Sequence, residues 1–175
     1  PISLLSILVT AAIYLGLLRL VVVGTGALSW REMGLRRPDA AALRELLSGG
    51  LLALPVVLVT ALLGDLLVRV AGTVPESPLP PADSGLGLLA NLIAAVVVAP
   101  IGEELFYRGF ATTAWVRGMG ANAGIVRGAL FFAIVHVLTI GGTGFSEAIG
   151  GALVGFAGRL PVALALGWIF VRRRS

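Results

Sequence analysis

The chain has 175 residues, of which 58% are hydrophobic and 13% charged, and its mean hydropathy is +1.01. Because soluble domains are about 45–50% apolar and roughly 25% charged, this composition argues against a water-soluble globular domain, and its hydrophobicity argues against disorder. The absence of cysteine excludes disulfides and thiolate chemistry, and the net charge of +4 comes from arginines scattered between apolar runs, so we expect membrane lipid and no nucleic acid as a partner.

Five apolar runs follow one another along the chain, and we expect each to form a membrane-spanning helix because about 20 apolar residues cross the hydrocarbon. They cover residues 2–23, 46–70, 86–101, 125–140 and 149–171. Pro100 and Gly102 predict a helix break at the end of the third run. Arg159 and Pro161 interrupt the fifth run, which is either one kinked helix or, as we favour, two shorter pieces.

The distribution of arginine supports this division into spans. Arginines lie in the loops at 31–44 and 117–127 and in the tail at 172–174, and they alternate with loops that hold no base. Basic loops stay on the cytoplasmic side, so five crossings with the N-terminus outside satisfy every loop. We therefore predict an all-α, polytopic membrane helix bundle of about five transmembrane segments, with residues 1–175 forming a single transmembrane domain.

Two adjacent acids, Glu103 and Glu104, follow the third apolar run, where a carboxylate is costly unless it faces protein or water. Glu104 and Arg108 are spaced i,i+4 with the acid first, which favours an ion pair on one helix face. Glu103 is turned about 100° away from that face. The alternative without a functional role is that the acids end a span at the membrane interface, with Arg108 as an anchor in the headgroups.

The single histidine, His136, lies inside the fourth apolar run, on the same helix face as Phe132 four residues before it. A histidine in this position by itself is more often a packing residue than a catalyst. A histidine and a pair of glutamates on consecutive spans together favour a second interpretation. They could hold and deprotonate a water molecule, with a glutamate as base and the imidazole as orienting partner.

These residues resemble the motifs of one protein family. Residues Glu103–Arg108 fit an EExxxR pattern, Phe132–His136 fit FxxxH downstream of it, and Gly34–Pro38 resemble a segment that many bacterial members have after their first span. The chain is thus similar to the CPBP or Abi family of intramembrane proteases, which includes the CAAX-processing prenyl proteases. The resemblance implies peptide-bond hydrolysis within the cell membrane of a bacterium, on a protein or peptide substrate of which lipidated proteins are one class.

The resemblance also implies roles for individual residues. Glu103 matches the glutamate that activates water, Glu104 its supporting neighbour, Arg108 the motif arginine and His136 the histidine that helps to hold the water. The cofactor stays open, because a divalent metal such as zinc and a metal-free glutamate mechanism both agree with the family. The sequence offers one histidine and no HExxH motif, so a zinc site with three good protein ligands is unsupported.

The family normally has a third motif, a histidine followed four residues later by asparagine, and this sequence has no second histidine. Residues 167–172 resemble the stretch that precedes that motif. We therefore expect the sequence to be a fragment that lacks its C-terminal helix.

Two other classes of function remain alternatives. One is a non-catalytic membrane scaffold or bacteriocin self-immunity protein of the same fold, and the other is a transporter subunit in which the same acids and histidine relay protons. The absence of duplicated halves disfavours a typical secondary transporter. Among the other charges, Asp65 and Arg69 are expected to form a structural pair, and Arg159 is a candidate partner for Glu147 or for a substrate carboxylate.

Overall fold

The structure, a computed structural model, describes residues 4–37, 39–40, 42–72, 81–138, 140 and 144–173. Within these residues all regular secondary structure is helical. The helices are α1 (Leu4–Val23), α2 (Ala42–Ala71), α3 (Gly85–Met119), α4 (Ala121–Val135) and α5 (Phe145–Arg173). The prediction of an all-α membrane protein is confirmed.

Four of these helices are long and apolar enough to cross a membrane, namely α1, α2, α3 and α5, while α4 is apolar but shorter. The 15 residues of α4 rise only about 22 Å, against roughly 30 Å of hydrocarbon. This helix begins four residues before the fourth apolar run and ends at Val135, so His136 lies at its C-terminal cap rather than inside a longer helix. Because four of its helices are long and apolar enough to cross a membrane, the chain is a multi-pass membrane protein.

The predicted break at the end of the third run is wrong, and so is the favoured division of the fifth run into two pieces. Helix α3 continues through Pro100 and Gly102, because a π-helical stretch (Ala94–Val98) ends two residues before the proline and its wider turn leaves room for the ring. Helix α5 likewise continues through Arg159 and Pro161. Pro161 has no backbone N–H to donate, and the packing of α5 against α2 and α4 compensates for that missing hydrogen bond.

The chain divides into two compact units. The first comprises residues 1–35 and 76–114, and the second comprises residues 36–75 and 115–175. In the first unit α1 packs on α3, and a small core forms where the C-terminal part of α1 and the following turns meet α3. That core consists of Leu18, Val22, Leu28 and Met33, with Leu105, Phe106 and Phe110 packed against it.

In the second unit α5 is the central helix, since it packs against α4 and α2. Small residues allow close approach there: a Cβ on Gly151 would lie 3.1 Å from a methyl carbon of Ile140. The predicted pair of α2 is confirmed, with Arg69 Nε 2.8 Å from Asp65 Oδ2, and both side chains are exposed. An exposed pair of this kind adds at most about 1 kcal/mol, so its role is local.

Candidate active site

The acidic motif lies where α3 changes its hydrogen-bond register. Glu103 is the last residue of an α-helical turn, and Glu104 is the first residue of a π-helical segment, Glu104–Thr112. Thr112 and Thr113 donate their hydroxyl protons to the carbonyls of Tyr107 and Arg108, five residues back in each case. These bonds match the i→i+5 register of the segment, and π-helical turns occur frequently at functional sites.

The predicted ion pair between Glu104 and Arg108 is confirmed. Arg108 Nη1 lies 3.1 Å from Glu104 Oε1, and the exposed fractions of the two side chains are 3% and 44%. The arginine is therefore fixed inside the protein, while the carboxylate reaches from it towards the surface. Glu103, its neighbour, is half-buried.

Two tyrosines that the sequence analysis did not single out support this turn of α3. The hydroxyl of Tyr107, a residue with 1% exposure, lies 2.8 Å from the hydroxyl of Tyr14 on α1. The ring of Phe106 stacks on Tyr14 at 4.6 Å between centroids and meets Tyr107 edge-on at 5.2 Å. The sequence could have indicated this pair, because a tyrosine within an apolar span has a hydroxyl that needs a hydrogen-bond partner, and the sequence contains only these two tyrosines.

At Gly109, the residue after the motif arginine, α3 approaches the turns that follow α1 closely. A Cβ on Gly109 would lie 2.8 Å from the carbonyl oxygen of Met33 and 3.1 Å from its Cβ. Only glycine allows this contact without a shift of backbone. The contact therefore holds the π-helical segment against a fixed neighbour directly beside Arg108.

His136 is held by two contacts with Phe132, the first residue of its motif. Its Nδ1 lies 2.8 Å from the carbonyl oxygen of Phe132, and the two rings are 4.1 Å apart. A carbonyl can only accept a hydrogen bond, so Nδ1 carries a proton, and in the neutral form of the ring Nε2 is then the acceptor nitrogen. This is the tautomer that a histidine needs to accept a hydrogen bond from water or to bind a metal through Nε2.

The predicted site residues are distributed over both units. Glu103, Glu104 and Arg108 lie together on one stretch of α3 in the first unit, and His136 lies in the second. Within the described parts of the chain, no three or more histidine, aspartate or glutamate side chains form a group that could hold a metal ion. Neither unit by itself therefore offers three such ligands in one group among its described residues.

Arg159 is a further charge within a span. Its Nη1 donates a hydrogen bond to the carbonyl of Gly155, one turn earlier on α5, at 3.0 Å. Glu147 lies twelve residues before it, an axial separation of about 18 Å, which is too far for a direct ion pair on the same helix. The first alternative for Arg159, a counter-charge for Glu147, therefore does not fit the geometry.

The model of one protein family, described as Rce1-like, type II CAAX prenyl endopeptidase, matches residues 85–175, just over half of the sequence. No curated protein and no solved structure gives a significant match. The matched region begins at the first residue of α3 and includes both motifs.

Proposed function

Because the chain belongs to the Rce1-like family of type II CAAX prenyl endopeptidases, which are proteases, we propose that it is an intramembrane endopeptidase acting on lipidated protein or peptide substrates. The observation that supports this most directly is the arrangement on α3. Two adjacent carboxylates lie in a helix that can span a membrane, and a buried arginine pairs with one of them. The proposed location is the cell membrane of a bacterium, with lipid around the helices.

In the proposed reaction Glu103 acts as the general base. Its carboxylate accepts a proton from water as the water oxygen bonds to the substrate's carbonyl carbon, and the same proton then passes to the departing amine as the carbon–nitrogen bond breaks. The ion pair with Arg108 gives Glu104 a different environment from Glu103. The two neighbouring acids therefore have separate roles in this proposal. Arg108 stabilises the charge of Glu104, and Glu103 acts as the base.

The proposed role of His136 is to orient the water. With its proton on Nδ1 and directed at the carbonyl of Phe132, the ring presents Nε2 as an acceptor for a water proton. His136 is the C-cap of α4, and its backbone N–H donates to the carbonyl of Phe132, so the imidazole lies at the C-terminal end of the helix. The contact with the Phe132 ring restricts the rotation of the imidazole.

The test is cleavage of a peptide ending in a farnesylated C-a-a-X sequence by the purified protein in liposomes. We expect Glu103→Gln to lower the rate about 10²- to 10⁴-fold, the usual contribution of a general base. The matched control is Glu45→Gln, which removes an exposed carboxylate from the first turn of α2. Wild-type rates in Glu103→Gln would contradict the proposal, and binding of the peptide without cleavage by the wild type would favour the non-catalytic scaffold.

A second measurement tests whether Glu103 and His136 act on one water. If they do, the double variant Glu103→Gln/His136→Gln is expected to be about as slow as the slower single variant, because residues that act as a unit are not additive. Losses that multiply would show that the two residues act independently.

A further inference from the structure

Arg159 occupies the centre of α5. The helix has 29 residues, Phe145–Arg173, so Arg159 lies about 21 Å along the axis from each end, and its side chain is half-buried. In a helix that crosses the bilayer this position is close to the midplane. Charged residues at this depth are costly and mark functional sites by default.

The guanidinium is held at the contact between α5 and the turn that follows α4. A Cβ on Gly155 would lie 3.0 Å from Arg159 Nη1 and 3.2 Å from a methyl carbon of Val137. Since both atoms lie close to this one point, Arg159 Nη1 and the methyl carbon of Val137 are at most about 6 Å apart. Val137 is the residue directly after His136, so the cation lies next to the histidine turn of the same unit.

The chemistry of the substrate class includes a carboxylate that this cation can bind. A C-a-a-X sequence ends in a free carboxylate three residues after the prenylated cysteine, and three extended residues span about 10 Å. A guanidinium matches a carboxylate through two parallel hydrogen bonds. From these observations, and resting on the proposed function, we propose that Arg159 binds the C-terminal carboxylate of the substrate and thereby sets the distance from the substrate's end to the bond cleaved.

The experiment measures binding, which does not depend on cleavage. A fluorescent farnesylated C-a-a-X peptide with a free carboxylate and the same peptide with a C-terminal amide are titrated against the protein in phosphatidylcholine nanodiscs, with empty nanodiscs as background. We expect the wild type to prefer the acid about 10- to 100-fold, the range for one charged hydrogen-bonded contact. Arg159→Gln is expected to bind both peptides equally, and Arg159→Lys to keep part of the preference.

The matched control is Arg172→Gln, which removes a cation from the same helix where it lies over the ring of Trp168. This variant is expected to keep the wild-type preference for the acid. The ratio of the two affinities is independent of the fraction of folded protein, so a loss of stability in Arg159→Gln would not imitate the result. Equal binding of acid and amide by the wild type, or an unchanged preference in Arg159→Gln, would overturn the proposal. A wild type that prefers the acid but cleaves neither peptide would instead refute the proposed protease function.

Discussion

Replacement of Gly109 by alanine tests the contact that holds the π-helical segment of α3 in place. The added Cβ would lie 2.8 Å from the carbonyl oxygen of Met33, about 0.6 Å inside the shortest ordinary contact of 3.4 Å. Its close neighbours are the carbonyl oxygen and Cβ of a residue that is itself 1% exposed. Neither can rotate away as the end of a long side chain could, so backbone must shift.

Overpacking of this kind costs about 1–3 kcal/mol, and the higher helix propensity of alanine returns up to about 1 kcal/mol. We therefore expect Gly109→Ala to lower the free energy of unfolding by about 1–2 kcal/mol. The matched control is Gly16→Ala on α1 in the same unit, where a Cβ would meet no atom within 4 Å. Here only the propensity gain applies, so the control is expected to be neutral or to stabilise by up to about 1 kcal/mol.

The assay is equilibrium unfolding in mixed micelles with increasing sodium dodecyl sulfate, followed by tryptophan fluorescence. Trp30 packs against the core cluster that contains Met33, so it reports on the segment that must move. Gly109→Ala is expected to lower the midpoint, and Gly16→Ala to leave it unchanged or raise it. A Gly109→Ala protein as stable as Gly16→Ala would show that this contact is not tight, and the argument for a rigid support beside Arg108 would fail.

Three further outcomes follow from the geometry. Arg108→Gln is expected to lower the free energy of unfolding by about 1–3 kcal/mol, measured by the same titration, because the charged contact with Glu104 is lost; an unchanged midpoint would contradict the buried pair. Tyr14→Phe removes one partner of the hydroxyl pair with Tyr107 and should cost about 1–2 kcal/mol while keeping the ring contacts, whereas no loss would mean that the pair adds nothing. Ser84→Ala removes the side-chain cap of α3 and should cost about 0.5–2 kcal/mol, with Ser84→Asp restoring the wild-type midpoint if capping is the cause.

The sequence predicted those features that depend on contacts within one helix. The Glu104–Arg108 pair, the Asp65–Arg69 pair and the approach of Phe132 to His136 all join residues four apart. Helix geometry alone brings such residues together, so no knowledge of the tertiary fold is needed. The same holds for four of the five apolar runs, because the thickness of the bilayer determines the length of a spanning helix, whereas the helix at the fourth run is shorter.

The features that the sequence did not predict depend on tertiary packing or on a change of helical register. The hydroxyls of Tyr14 and Tyr107 meet across 93 positions of sequence. The predicted break at Pro100 assumed the ordinary helical register, in which the proline ring meets the carbonyl four residues before it, and the preceding π-helical stretch removes that conflict. The same assumption left the π-helical segment at Glu104 unpredicted. In the structure, Thr112 and Thr113 in this region donate to carbonyls five residues back.

The wide turns of α3 also constrain how related sequences can differ in length. If one residue between Glu104 and Thr112 were deleted, the segment could close into an ordinary α-helix, because a π-helical turn holds about one residue more than an α-helical turn. The loss of one residue and the tighter turn largely cancel, so the side chains after the segment would keep nearly the same direction relative to those before it. A deletion of one residue here should therefore leave the apolar stripe of α3 continuous while it changes the turn that holds Arg108.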